Sequence, residues 1–186
     1  MYRVIYADPP WRCSDQGTRL SPAYAGKQRK RARYPTMSLD AIKALRVAQY
    51  TAETSVLFLW RLASMPQEAL DVAQAWGFTV KSEIVWCKIT QAGTPRLGGG
   101  HYVRCAHETC LVATRGRAAA LRKDRTIPSW FMAPRSEHSA KPVEIYNIIE
   151  RLFDGPYLEL FATHRRREGW SSWGPKCGLE VKGVLL

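Results

Sequence analysis

The sequence predicts an α/β fold, a three-layer sandwich around a mostly parallel sheet, in one domain spanning residues 1–186. Three observations carry this. Short apolar runs alternate with segments of helical periodicity, the pattern of βαβ units. Ser55–Arg61 (SVLFLWR) is apolar without alternation, as a strand covered on both faces must be. The helical segments open on proline and close on glycine, the asymmetry that helix ends prefer.

In chain order, Tyr2–Ala7 is the first strand. Ser38 caps a helix that carries Ile42 and Leu45, and Ser55–Arg61 is the second strand. Pro66–Trp76 is a helix ended by Gly77, followed by strands at Thr79–Lys88 and Glu108–Thr114. Lys141–Phe153 is a helix with Pro142 at its start and Gly155 after its end, and Tyr157–Ala162 is the fifth strand. Ser14–Tyr34, Thr90–Val103 and Ala118–Arg135 read as linkers, long enough in a compact domain to be functional or disordered.

Charge is the informative bulk property. Lys and Arg number 28 against 16 Asp and Glu, a net charge of +12, which favours a polyanionic partner whose counterions are released on binding. A basic protein with no nucleic-acid role is the alternative. No stretch has the length of a membrane span and no basic amphipathic helix suggests a membrane surface, so no membrane partner is expected. The first ten residues already form a strand with a functional end, so no secretion signal is expected. Five cysteines in a chain of this size read as reduced thiols of a cytoplasmic protein.

The first strand stops on Asp8-Pro9-Pro10-Trp11. Ligands of open α/β sheets bind beyond the carboxyl ends of the strands, where this motif stands. Asp8 and the Pro9 carbonyl are acceptors held by the fixed φ angles of Pro9 and Pro10, and Trp11 supplies a flat face. Acceptors beside a stacking surface suit a planar heteroaromatic amine such as a nucleobase.

Asp-Pro-Pro-Trp after a short apolar strand resembles the catalytic motif of the MT-A70 family of S-adenosylmethionine-dependent adenine N6-methyltransferases. Further segments resemble that family's motifs in its order. They are Tyr34–Ser38, Leu57–Trp60, Trp76–Phe78 with Glu83–Lys88, His101-Tyr102, His107–Val112, Ser139–Pro142 with Ile145-Tyr146 and Ile149–Leu152, Leu158–Ala162, and Gly169-Trp170 to Trp173-Gly174. The resemblance implies a Rossmann-like fold in permuted motif order, with the catalytic strand first and the cofactor strand late. It implies that Asp8, Pro9, Pro10 and Trp11 are the catalytic residues, with Asp8 and Pro9 holding the adenine amino group and Trp11 walling the base. It implies S-adenosylmethionine as cofactor, held by Ala7, Asp8, Lys141, Phe161, Ala162, Thr163, Arg165 and Arg166. Lys141 and the helix start at Pro142 would then meet the methionine carboxylate. After Gly174 the family usually carries an amide or acidic residue that meets the cofactor ribose; here Pro175-Lys176 stands instead.

Lys27, Arg29, Lys30, Arg31 and Arg33 form a basic run beside the base pocket, suited to tracking phosphates. Tyr34, His101 and Trp60 are the other nucleic-acid candidates, Trp60 standing equally well as core. His101, Cys105, His107 and Cys110 have spacings a zinc ion could use, but Cys110 reads as buried strand and the resemblance accounts for the cluster without a metal, so no metal is expected. DNA is the favoured polymer. RNA, or a catalytically silent nucleic-acid-binding subunit, are the alternatives.

Overall fold

The structure, a computed structural model, describes residues 1–12, 35–99, 102–135, 140–163 and 167–174. Strand β1 (Tyr2–Ala7) is followed by helix α1 (Leu39–Lys43), β2 (Thr51–Arg61), α2 (Pro66–Ala75), β3 (Thr79–Ile89) and β4 (His107–Arg115). Then come β5 (Trp130–Pro134), α3 (Glu144–Leu152), β6 (Tyr157–Leu160) and β7 (Trp170–Trp173). Among the described residues the seven strands form one sheet in the order β5-β3-β4-β2-β1-β6-β7. β4 runs antiparallel to β2 and β3, and every other pairing is parallel. Six strands therefore bring their carboxyl ends to one edge of the sheet, and β4 brings its amino end to the same edge.

Residue alternation sorts the core. Ile5, Ala7, Leu57, Leu59, Leu158 and Leu160 face α1 and α2, whereas Val4, Tyr6, Val56, Phe58 and Trp60 face α3. Both faces of the central strands are covered, which is why Val56–Trp60 is buried without a break. Each such aliphatic or aromatic side chain contributes about 1.5–3 kcal/mol by burial. Ser38 caps α1 as expected, its Oγ accepting from the Ala41 N–H at 3.2 Å. Trp76 ends α2 in the core and donates its indole N–H to the Ile42 carbonyl at 3.0 Å, locking the two helices together. Among the described residues no helix is long and apolar enough to cross a membrane.

The α/β class and mostly parallel sheet agree with expectation. Several boundaries differ, each for a physical reason. β2 begins at Thr51, because Thr51 pairs with Tyr2 and its hydroxyl accepts from Arg115 at 2.9 Å. β6 stops at Leu160, because Phe161 turns to φ 64°. β5 and β7 were not foreseen: one lies inside a charge-rich linker and the other is the four-residue stretch WSSW. The helix expected from Lys141 starts only at Glu144. A residue before proline is pushed to extended backbone, so Lys141 stands outside the helix rather than at its N-terminus.

Candidate active site

β1 is paired on both sides up to its last residue, with Ala7 opposite Leu59 and Leu160. Pro9 and Pro10 cannot continue either ladder, so the chain leaves the sheet there. It leaves in a fixed way. The Trp11 N–H donates to the Pro9 carbonyl at 2.8 Å, the Met37 N–H to the Pro10 carbonyl at 2.8 Å, and the Arg12 N–H to the Met37 carbonyl at 3.1 Å. The Pro9 carbonyl keeps a second lone pair for a ligand N–H. Trp11 is only 7% exposed, packs with the α1–α2 core, and donates its indole N–H to the Trp60 carbonyl at 3.1 Å. It braces the motif from below rather than presenting an open face.

Asp8 does not stand alone. Its Oδ2 lies 2.6 Å from Lys141 Nζ, which is also 3.4 Å from Glu108 Oε2, while Glu108 Oε1 lies 2.6 Å from Lys88 Nζ. Two cations and two anions thus alternate along the carboxyl edge, on residues drawn from β1, β3, β4 and the segment before α3. The antiparallel course of β4 makes this possible, since it sets Glu108 opposite Trp86, on the face where Lys88 stands next to the last residue of β3. Lys141 Nζ is 5.1 Å from the centroid of the Trp60 ring and Lys88 Nζ is 5.2 Å from that of Trp86. Trp60 is held in turn by donating its indole N–H to the Tyr6 hydroxyl at 2.9 Å.

Burial and charge oppose each other in this row. Burial raises the Asp8 pKa above its ordinary value and the neighbouring Glu108 adds to that, so Lys141 offsets only part of the rise. For Glu108 burial also pushes upward, but Lys141 and Lys88 together hold the carboxyl below its ordinary value. Burial pulls Lys141 down, yet Asp8 and Glu108 outweigh it and the ammonium is stabilised. The result is a firmly charged Lys141 beside an unusually basic Asp8. Cys110, buried below, has its thiol pKa raised by burial and is inert.

Beside Lys88 and Glu108 opens a cleft of about 240 Å³, lined also by Trp86, Gly98, Gly99, Cys105, Arg135 and Ala140. At the other end of the edge, β6 runs into Phe161, the one described non-glycine residue at positive φ (64°). That conformation costs about 1–2 kcal/mol, and strain of this kind collects at functional sites. It is held by an edge-on contact of Phe161 with the Trp173 ring (5.6 Å) and by the Ala162 N–H donating to the Trp173 carbonyl at 2.9 Å.

The same chain matches the MT-A70 family model over residues 2–176. The chain belongs to the MT-A70 family of adenine N6-methyltransferases. It is 29% identical over 185 residues to the Type II methyltransferase M.MunI of Mycoplasma sp, covering 93% of this chain and 76% of that protein. It is 30% identical over 189 residues to an N(6)-adenosine-methyltransferase MT-A70-like protein of Arabidopsis thaliana, covering 100% of this chain and 24% of that one. To the N(6)-adenosine-methyltransferase catalytic subunit METTL3 of Homo sapiens it is 28% identical over 177 residues, 93% of this chain and 28% of that subunit. The chain therefore spans about a quarter of the length of these last two relatives.

Within this MT-A70 chain the structure brings together Ala7, Asp8, Pro9, Pro10 and Lys141 at one edge, with Phe161, Ala162 and Thr163 directly after the adjacent strand β6. Trp60 must be corrected. It is 1% exposed, its indole turned into the core beneath Lys141, and it has no surface to offer a polymer. Lys27, Arg29, Lys30, Arg31, Arg33, Tyr34, His101, Arg165 and Arg166 lie outside the described residues, as does Pro175-Lys176. Among the described residues no group of three His, Cys, Asp or Glu side chains is placed to hold a metal ion. Lys88, Glu108 and Arg135 were missed as site residues. For Lys88 a signal was present, because alternation from the buried Trp86 puts it on the same face, but only the β3–β4 register shows that it meets Glu108.

Proposed function

We propose that this MT-A70 protein transfers a methyl group from S-adenosylmethionine to the N6 amino group of adenine in nucleic acid, with DNA as the polymer. The carrying observation is the Lys141–Asp8 pair at the end of the central strand, with the Pro9 carbonyl fixed beside it.

The donor set fits the cofactor. Its amino-acid end carries an ammonium and a carboxylate, the partners of Asp8 and Lys141, and Ala7, Phe161, Ala162 and Thr163 would hold the remainder. When bound, S-adenosylmethionine supplies an electrophilic methyl carbon. The chain's own residues do the rest. The lone pair of the adenine amine is delocalised into the ring, so the amine is a poor nucleophile. Asp8 and the Pro9 carbonyl accept its two N–H bonds, which draws density onto nitrogen and favours its pyramidal form. Burial raises the basicity of Asp8 and so strengthens this acceptance, while Lys141 keeps the carboxylate ionised and oriented. Trp11 and Met37 hold the acceptors in place, so positioning and electrostatics carry the rate. For duplex substrate the base must be extruded, at a cost of a few kcal/mol.

The net charge of +12 supports a polyanionic substrate. DNA is favoured because the chain covers 76% of the Type II methyltransferase, so it corresponds to most of such an enzyme and to a minor part of the larger relatives. Alignment of the whole of this chain with a quarter of a protein named N(6)-adenosine-methyltransferase MT-A70-like supports RNA as the second reading. The test is tritiated-methyl transfer to matched DNA and RNA oligonucleotides, followed by digestion to nucleosides. Label on N6-methyldeoxyadenosine is expected. Label on the ribonucleoside alone would establish the second reading, and no label on adenine in either would overturn the assignment.

A further inference from the structure

We infer that Glu150, in the last turn of α3 and away from the carboxyl edge of the sheet, is a positioning residue that sets cofactor affinity by anchoring Arg167, on the connection that follows Phe161–Thr163. This rests on the reading of Phe161–Thr163 as part of the cofactor site.

The topology creates the need. β6 and β7 are parallel neighbours, with Tyr157 opposite Trp170 and Leu160 opposite Trp173. Residues 161–169 must therefore carry the chain from the carboxyl edge back to the amino edge. Every conformation that a binding residue samples before the ligand arrives reduces affinity, so contacts that fix Phe161–Thr163 matter to the cofactor. One tie is at the cofactor end. The Ala162 N–H bonds to the Trp173 carbonyl, and Gly174 approaches so closely that a Cβ there would lie 2.1 Å from the Ala162 oxygen.

Glu150 supplies a second tie. Its Oε1 accepts from Arg167 Nε at 3.0 Å and from the Trp170 indole N–H at 2.8 Å, and its Oε2 accepts from Arg167 Nη2. The fork contact fixes the plane of the guanidinium as well as its place, which a single bond would not do. Only residues 163–166 separate the tie at Ala162 from the tie at Arg167. Both partners are 29% exposed, a degree at which an ion pair contributes little to global stability. The effect of removing it should fall on the tied segment, with little change in the melting temperature. A purely structural staple of Trp170 onto α3 would show the reverse.

The test compares the whole chain with Glu150→Gln, Arg167→Met and the double variant, titrated calorimetrically with S-adenosylmethionine. Each single variant is expected to weaken binding about tenfold, and the double variant by about the same factor, because both act through one contact. At saturating cofactor kcat should stay within about twofold, so the change appears in KM. In the cofactor-free chain the Ala162 amide should exchange its hydrogen faster in Glu150→Gln. Cofactor affinity unchanged beside a lowered melting temperature would overturn the role, as would single effects that multiply in the double variant. Should Glu150→Gln fail to fold, Arg167→Met leaves α3 intact and carries the same test. A wild-type chain that binds no cofactor overturns the cofactor-site reading and this role together; wild-type binding matched by Glu150→Gln overturns the role alone.

Discussion

Two lysine–aspartate pairs in this protein have the same separation and opposite meanings. Lys141 and Asp8 meet at 2.6 Å across the end of the central strand, with side chains 12% and 33% exposed. Lys123 and Asp154 also meet at 2.6 Å, on the surface, with side chains 43% and 71% exposed. The first pair is joined to Glu108 and Lys88, set over Trp60 and flanked by a proline carbonyl. The second touches water. Distance alone does not mark a functional pair; desolvation and the number of charges that share it do.

The largest effect should come from breaking the buried pair at its acid. Asp8→Ala is expected to lower methyl transfer at least a hundredfold, about 2.7 kcal/mol in the barrier, with the melting temperature nearly kept. A loss under tenfold would remove Asp8 from the amine-accepting role.

Next is the pH dependence, which reads the same carboxylate. Activity requires ionised Asp8, whose pKa lies above its ordinary value of 3.8 because burial outweighs Lys141. The acidic limb of the rate profile should therefore stand above that value. Lys141→Met removes the counter-charge, so it should move the limb to still higher pH, the direction opposite to a helpful mutation. It should also destabilise the fold by about 1–3 kcal/mol, less than for a fully buried pair because Asp8 is part-exposed. A limb that stays in place in Lys141→Met would assign it to another group.

These differences also show what the sequence discloses. Asp8-Pro9-Pro10-Trp11 was legible because proline and an acid after an apolar strand break local rules for no packing reason. The unbroken apolar run Val4-Ile5-Tyr6-Ala7 likewise disclosed a buried strand. Trp60 was ambiguous, since an aromatic at a strand end suits a pocket or a core, and only the Tyr6 hydrogen bond and the Lys141 ammonium decide it. Glu108 was hidden because its partners lie 20 and 33 positions away along the chain, and the antiparallel setting of β4 that joins them is a tertiary choice. β7 was hidden by its polarity: WSSW has no apolar run, and it forms a strand because β6 offers a free edge.

A smaller effect is expected from Glu108→Gln. Its carboxyl is held below the ordinary value of 4.5, so its contribution to stability is present above that pH and is lost as pH falls through the lower folded value. The variant should lower the melting temperature at neutral pH and leave the difference from wild type small in strong acid. It should also lower the rate about tenfold, since Lys141 is then free to leave Asp8. A melting-temperature difference independent of pH would show that Glu108 acts by packing.

The smallest effect is the control that gives the comparison its force. Lys123→Met removes the surface partner of Asp154. The Asp154 contact raises the Lys123 pKa, so whatever stability the pair provides is present throughout neutral pH and fades only as pH rises past the ordinary lysine value of 10.5. A null result at pH 7 would therefore not be a matter of protonation. Both side chains stay hydrated in the folded chain, so little desolvation is recovered and dissolved ions screen what attraction there is. Methyl transfer should be unchanged, and the melting temperature should move by no more than about 1 °C, with the shift vanishing at high salt. Should Lys123→Met instead match Lys141→Met in rate or stability, the burial of the Asp8 row would not be what separates the two pairs, and their common length would have to be taken as the property that matters.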